Sequence, residues 1–314
     1  MIEMQEIIEE VDRELIEKEL TPDKFLRETN FGKNEIYVIT ARNSPNIMRE
    51  IGRLREITFR EAGGGTGKDV DIDHFDTSET PFQQLVVWNP EDKQITGGYR
   101  FICCADAVLP DGRIELATTE LFEFKELFIK DYLPYTIELG RSFVQPNYQP
   151  TRDLRKGMYS LDNLWDGLGA IVIDNPNIKY FFGKVTMYPH FNQRAKDIIL
   201  YFLNKYFPDK DNLVIPLEPL RILTDVNELE QIFNGGNYGA DYKLMIQTLR
   251  SINETIPPLV NAYMNLTSTM RIFGTAINPG FGAVEETGIL VTIGDIYDIK
   301  KERHFDSYKK DSQE

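Results

Sequence analysis

Cysteine is nearly absent from this chain: two residues in 314, Cys103 and Cys104, side by side. Sequence neighbours rarely form a disulfide, because bridging them strains the intervening peptide. A reduced, cytosolic compartment is the expectation. The pair reads as two small residues filling a strand rather than a reactive dithiol. Long apolar runs are also lacking. Stretches such as Leu168–Ile173 and Ile289–Ile293 fall far short of the roughly 20 residues that span a bilayer. The acidic, charge-broken N-terminus is no secretory signal, so any membrane contact is expected to be peripheral. Basic charge is in deficit as well, with 35 Lys and Arg against 50 Asp and Glu, a net of −15. That excludes a general nucleic-acid binder and tight electrostatic binding to anionic lipid.

What remains is a chain with 41% hydrophobic residues, enough for a real core. Ile7, Ile8, Val11, Leu15 and Ile16 recur at helical spacing and predict a helix within residues 2–28. Thr21-Pro22 predicts a second, short helix capped by Thr21. Glu35–Thr40 reads as a strand and Asn46–Arg60 as a helix. The glycine cluster and acidic stretch AGGGTGKDVDIDHFD must be loop. Gln84–Trp88 and Gln94–Cys104 form a hairpin around the turn residues Asn89-Pro90-Glu91-Asp92. Thr136–Val144 and Lys179–Met187 are strands; Leu161–Ile173 and Gln193–Phe207 are helices. Beyond them, Asp241–Ile252 looks helical, and Met270–Ala276 and Gly288–Ile293 look like strands. The expected fold is α/β or α+β, a mixed sheet with helices on both faces. Its division is an N-terminal helical extension over 1–34, a core over 35–207, and a C-terminal part over 208–314 that completes or packs on the sheet.

Three clusters carry chemistry. The first joins Arg53, Arg55, Phe59 and Arg60 to Asp71, Asp73 and Asp76. The second is Gly97-Gly98-Tyr99-Arg100. The third is Glu138-Leu139-Gly140-Arg141-Ser142, where strand alternation puts Glu138, Gly140 and Ser142 on one face and Arg141 on the other. Taken singly, each has an ordinary explanation: a solvated or capping acidic loop, an arginine in an ion pair, a glutamate on an open face. The aspartate spacing lacks the glycine and terminal Glu of a calcium loop, so no metal is expected. A local basic run, including Arg152, Arg155 and Lys156, stands out on an acidic protein and suggests a docking spot for an anionic partner.

In order and spacing, these clusters resemble the acyl-carrier-protein-dependent N-acyltransferases that make lyso-ornithine and glycine lipids, a family often labelled hemolysin-like. More distantly they resemble the acyl-homoserine-lactone synthases; both have the GNAT-like fold. The likeness runs from about Ile36 to Tyr188, and Pro257–Ile293 is similar to the ending of the lipid-forming branch. It implies transfer of a fatty acyl group from a thioester to the amine of glycine or ornithine. By the same resemblance Glu138 faces the acceptor amine and Arg141 is the signature arginine. Phe59, Asp71, Asp73, Asp76, Arg100, Phe143, Val144 and Trp165 are expected around the substrates. Backbone N–H groups near Phe143 and Val144 are the expected oxyanion donors, with Trp165, Phe181, Phe182 and Met187 lining the acyl slot. Arg100, Arg141 and the aspartates serve equally well as a structural ion-pair network.

The sequence departs from the acetyl-coenzyme A pattern, because Arg155-Lys156-Gly157-Met158-Tyr159-Ser160 stands where a pyrophosphate loop belongs. That favours acyl carrier protein, docked on Arg152, Arg155 and Lys156, over coenzyme A as donor, with no permanently bound cofactor. None of the three histidines begins an H-x-x-x-x-D pair, so the glycerolipid O-acyltransferase signature is absent. The alternatives are a lactone synthase, an ordinary acetyltransferase, or a non-catalytic module that keeps the fold.

Overall fold

The computed structural model describes residues 4–308. Its first part holds α1 (Arg13–Glu19), β1 (Phe25–Glu28), β2 (Glu35–Ile39), α2 (Pro45–Glu61) and α3 (His74–Thr77). Next come β3 (Gln83–Asn89), β4 (Gln94–Cys103), β5 (Phe122–Phe124), α4 (Glu126–Asp131) and β6 (Thr136–Val144). Then follow α5 (Leu154–Gly157), α6 (Ser160–Asp174), β7 (Tyr180–Met187), α7 (Gln193–Tyr206) and β8 (Val214–Pro216). The last part has α8 (Val226–Ile232), α9 (Tyr238–Ser251), α10 (Pro258–Met264), β9 (Arg271–Asn278), β10 (Val284–Thr292) and α11 (Asp298–His304).

Eight strands form one sheet in the order β1-β2-β3-β4-β6-β7-β10-β9. Every neighbouring pair in it is antiparallel except β6 and β7, which run parallel. The β6–β7 ladder extends only from Thr136↔Tyr180 to Leu139↔Gly183, although β6 continues to Val144 and β7 to Met187. The two strands therefore part after Leu139, and this opening organises the site.

Alternation along the strands divides the core. Ile137, Leu139, Phe181, Val185, Ile289 and Val291 face α6, α7, α9 and α10 in the largest apolar cluster. The opposite face carries two separate clusters. One gathers Ile102, Phe182 and Leu290 with Phe75, Phe122 and Phe128. The other gathers Val86, Trp88 and Phe143 with Ile47, Ile51 and Phe59 of α2.

Several expectations need correction. The helix expected within 2–28 shrinks to α1, which Asp12 caps; residues 2 and 3 lie outside the described residues. Upstream of it Gln5 N–H bonds the Gly67 carbonyl and Val11 N–H bonds Glu50, so tertiary contacts override the helical spacing. Downstream, Phe25–Glu28 is a strand paired with β2. Thr21 makes no cap bond, and Pro22–Lys24 is a single 3₁₀ turn. Within the acidic loop His74–Thr77 forms a short helix. Cys103 ends β4 and Cys104 begins a 3₁₀ turn, so they do not share a strand; both are free thiols. In the C-terminal third β9 and β10 join the main sheet, while β8, α8, α10 and α11 were not foreseen.

Candidate active site

A polar belt crosses the sheet face between the two smaller clusters. Its base is β4 and β6, where Arg100 lies directly opposite Gly140 and Ile102 opposite Glu138. Directly opposed residues of antiparallel strands point to the same face, so Arg100, Gly140 and Glu138 share it.

The acidic loop lies over this base as a built ion-pair network. Asp73 caps α3, accepting from the backbone N–H groups of Phe75 and Asp76, while Asp76 accepts in return from the Asp73 N–H. This capping box fixes both carboxylates. Arg100 donates to Asp73 at 2.7 and 2.8 Å and to Asp76 at 3.3 Å. Arg55 of α2 reaches both oxygens of Asp76 at 3.4 Å, and Gln84 of β3 donates to Asp76 at 2.9 Å. Arg141 pairs with Asp71 at 2.8 Å and lies over the Phe281 ring at 4.3 Å. Burial opposes charge on Asp73, but Arg100, Arg141 and Arg55 outweigh it and hold that carboxyl well below its ordinary value.

The alternation rule fails at Arg141. Its φ is +47°, in the left-handed region, and the β4–β6 register shifts between Gly98 and Arg100. The resulting bulge turns Arg141 onto the face of Glu138 and the aspartates, contrary to its expected orientation.

Glu138 is 1% exposed. It accepts from the Thr118 hydroxyl at 2.5 Å and the Thr118 N–H at 3.4 Å. Burial raises its pKa; the Thr118 bond, Lys184 and Arg100 oppose the rise only in part. Lys184 of β7 sits one residue beyond the last β6–β7 pair. It pairs with Glu286 of β10 at 2.9 Å, and Asn278 donates to the same oxygen of Glu286 at 3.0 Å. Burial pushes the Glu286 pKa up, but Lys184, Asn278 and Arg141 prevail and keep it below the ordinary value.

Glycines set the packing of the loop that follows α2. Glu56 clamps the glycine loop by accepting from the Thr66 and Gly67 N–H groups and the Thr66 hydroxyl. Gly282, at φ +71°, lies so near Gly64 that a Cβ there would come within 2.9 Å of the Gly64 Cα.

Of the residues expected at the site, Glu138, Arg141, Arg100, Asp71, Asp73 and Asp76 converge on this belt. Phe59 packs edge-to-face on Phe281 at 5.1 Å, one layer behind Arg141. The Phe143 side chain is buried in the α2 cluster, and Val144 packs against the α6/α7 cluster, so neither side chain lies in the belt. Phe182 lies beside Glu138, whereas Phe181 and Met187 face the α6/α7 cluster. Trp165 does not reach the belt: it lies on the opposite face, against Tyr263 at 5.7 Å, lining a cavity of about 190 Å³ with Leu161 and His304. Thr118, Lys184, Asn278 and Glu286 escaped sequence reasoning. Only the register of the strands reveals them, since no local motif marks a threonine in a 3₁₀ turn or a lysine in β7.

Exposed Arg152 pairs with Glu61 at 3.0 Å and exposed Lys156 with Asp92 at 2.6 Å. Exposed Arg155 lies between them, next to exposed Leu154 and Met158.

Comparison with known proteins decides the family. A model described as "Acetyltransferase (GNAT) domain" matches residues 54–156, which hold the acidic loop, Glu138 and Arg141. A protein of Phocaeicola vulgatus named glycine N(α)-acyltransferase is 55% identical over 99% of this chain and 96% of its own. The chain belongs to the glycine N(α)-acyltransferase family. A Bacteroides thetaiotaomicron protein of the same name is also 55% identical, over 97% of this chain and 91% of its own. The structure of FeeM, an N-acyl amino acid synthase from uncultured soil microbes, covers 85% of this chain and 95% of its own. The two share 9% identity at a TM-score of 0.42. This acyltransferase is thus an enzyme of the GNAT fold that uses an acyl thioester donor and an amino-acid acceptor. No helix among the described residues is long and apolar enough to cross a membrane.

Proposed function

We propose that this enzyme transfers a fatty acyl group from an acyl-carrier-protein thioester to the amine of glycine, forming the N-acyl amino acid from which an amino-acid lipid is built. The observation that carries the mechanism is Glu138, a buried carboxylate with raised proton affinity at the last paired stretch of β6 before it parts from β7. A thioester is already activated, so the enzyme must deprotonate an ammonium, hold the reactants together and stabilise an oxyanion. Glu138, directly or through a water, takes one proton from the ammonium; the neutral amine attacks the thioester carbonyl; the C–S bond then breaks, and the second proton shed by the nitrogen leaves with the thiolate as thiol. The unpaired edge of β6 beyond Leu139 offers backbone N–H groups to the oxyanion. Thr118 holds the Glu138 carboxylate in place.

Glycine as acceptor follows the name of relatives that are 55% identical over nearly the whole chain. Carrier protein as donor follows from surface chemistry. Arg152, Arg155 and Lys156, flanked by exposed Leu154 and Met158, suit an acidic carrier helix with an apolar edge. Contact with the membrane that receives the product is peripheral in this reading. The test incubates purified enzyme with 3-hydroxyacyl donors on carrier protein or coenzyme A, and with glycine or ornithine, and identifies products by mass spectrometry. N-acylglycine formed from the carrier thioester supports the proposal. N-acylornithine, or a preference for coenzyme A, overturns that half of it.

A further inference from the structure

The space above Gly140 combines three features that no motif explains. Gly140 is not in the left-handed region, so its backbone does not require glycine. A Cβ built there meets only one atom within 4 Å beyond its chain neighbours, the Arg100 Nε at 4.0 Å. Other strand glycines of the sheet are crowded: a Cβ on Gly97 or Gly98 would meet backbone oxygen at 2.6 Å. Gly140 therefore leaves room above it.

Arg100 Nε is buried and has no hydrogen-bond partner among the described residues, although the Nη1 of the same guanidinium is well satisfied by Asp73. A buried N–H without a partner is costly and calls for an acceptor. Glu138 stands two residues from Gly140 on the same strand face. Across the opening Lys184 stands one residue beyond the last ladder pair, and its side chain retains 12% exposure. Among the described residues its three N–H donors are engaged only by Glu286 and, at 3.4 Å, the Ala117 carbonyl. A carboxylate between Arg100 Nε and Lys184 Nζ would receive two charge-assisted bonds. An ammonium on the same small molecule would then lie toward Glu138.

We propose that the space over Gly140 is the binding site for the α-carboxylate of the amino-acid acceptor, with Arg100 Nε and Lys184 Nζ as its donors. This rests on the reading of the enzyme as a glycine acyltransferase and adds the group by which it tells an amino acid from a simple amine. Glu286 and Asn278 are positioning residues that hold Lys184.

The experiment compares kcat/KM for glycine and for glycinamide, which keeps the amine and lacks the carboxylate. Wild type should prefer glycine strongly. Lys184→Met should lower the glycine-to-glycinamide ratio of kcat/KM by about 10- to 100-fold, the worth of one bond to a charged group, because the effect of Lys184 on Glu138 falls on both acceptors alike and cancels in the ratio. Gly140→Ala, whose methyl enters the space without backbone strain, should likewise collapse the glycine-to-glycinamide ratio with an unchanged melting point. Wild type accepting both acceptors equally, or both variants losing both substrates in parallel, overturns the proposal. Failure of wild type to acylate either acceptor overturns the functional reading instead.

Discussion

Asp76→Asn removes one charge from the belt and almost nothing from its shape. Asp76 is fully buried and serves four partners: Arg55 at 3.4 Å, Arg100 at 3.3 Å, Gln84 at 2.9 Å and the Asp73 N–H at 3.1 Å. In the native belt three guanidiniums (Arg55, Arg100, Arg141) face three carboxylates (Asp71, Asp73, Asp76). The substitution leaves Arg55, with no exposure at all, without its anion. Arginine cannot shed its proton to escape. Breaking one partner of a buried pair costs about 3–5 kcal/mol. At about 1.5 °C per kcal/mol for a chain of this size, the melting midpoint should fall by about 5–8 °C. Thermal melting followed by far-UV circular dichroism reads this directly. Adding Arg55→Met should recover part of the loss, because the stranded charge is gone. A midpoint that moves by less than about 2 °C, or a double variant no better than the sum of the singles, would refute the claim that the belt is a dry, mutually dependent network.

Glu138→Gln should lower kcat by about a hundredfold or more in a folded protein, since it removes the base and keeps the shape. Because burial raises the Glu138 pKa, the acid limb of kcat/KM should lie above the ordinary glutamate value of 4.5. The native state then keeps that proton to higher pH than the unfolded chain does, so stability contributed by the protonated form is lost as pH rises through the native pKa. Glu138→Gln should abolish this slope in melting point against pH; an unaltered slope assigns it elsewhere. Reversing Arg152 and Arg155 to Glu should raise KM for acyl carrier protein severalfold and leave a short acyl-pantetheine donor unaffected. Added salt should bring wild type toward the variant, since exposed charges are screened within about 8–10 Å; equal damage to both donors would place the patch in the active site.

Strand and helix positions in the sheet interior were legible where apolar spacing and burial agree. Thr136–Val144 and Leu161–Ile173 are such cases, and the structure places β6 and α6 there with ends shifted by a residue at most. Reading failed where a segment's partners lie far off in sequence. Ile7 and Ile8 have helical spacing, yet both are only half-buried, and the Ile8 N–H bonds the Asp69 carbonyl. In the C-terminal third, Asp298–His304 reads as an acid-base mixture with one apolar side chain. It is helical because buried His304 bonds Asp166 at 2.7 Å and the helix packs on α6. In the belt, the clustering of the motif-bearing residues Glu138, Arg141, Arg100 and the three aspartates was legible. Lys184 and Glu286 were not, because their meaning comes from β7 and β10 lying side by side, a pairing across about a hundred residues of chain.

The failure of strand alternation at Arg141 bears on the proposed mechanism. A regular β6 would send Arg141 into the apolar cluster beneath α6, away from Asp71, and would strand a charge there. The left-handed turn at Arg141 costs on the order of 1–3 kcal/mol. The Asp71 pair and the Phe281 ring offset it. The bulge also takes Arg141 and Ser142 out of step with β4, so that Tyr99 alone spans the two residues between Gly98 and Arg100 on the partner side. Gly140, just before the bulge, remains in register opposite Arg100 while β7 has already departed. One local irregularity thus performs two tasks. It completes the charge network that fixes the acidic loop, and it lies at the edge of the one stretch of β6 where Glu138 and an open space share a face. Local rules and global fold agree elsewhere along β6; they part where the strand serves chemistry.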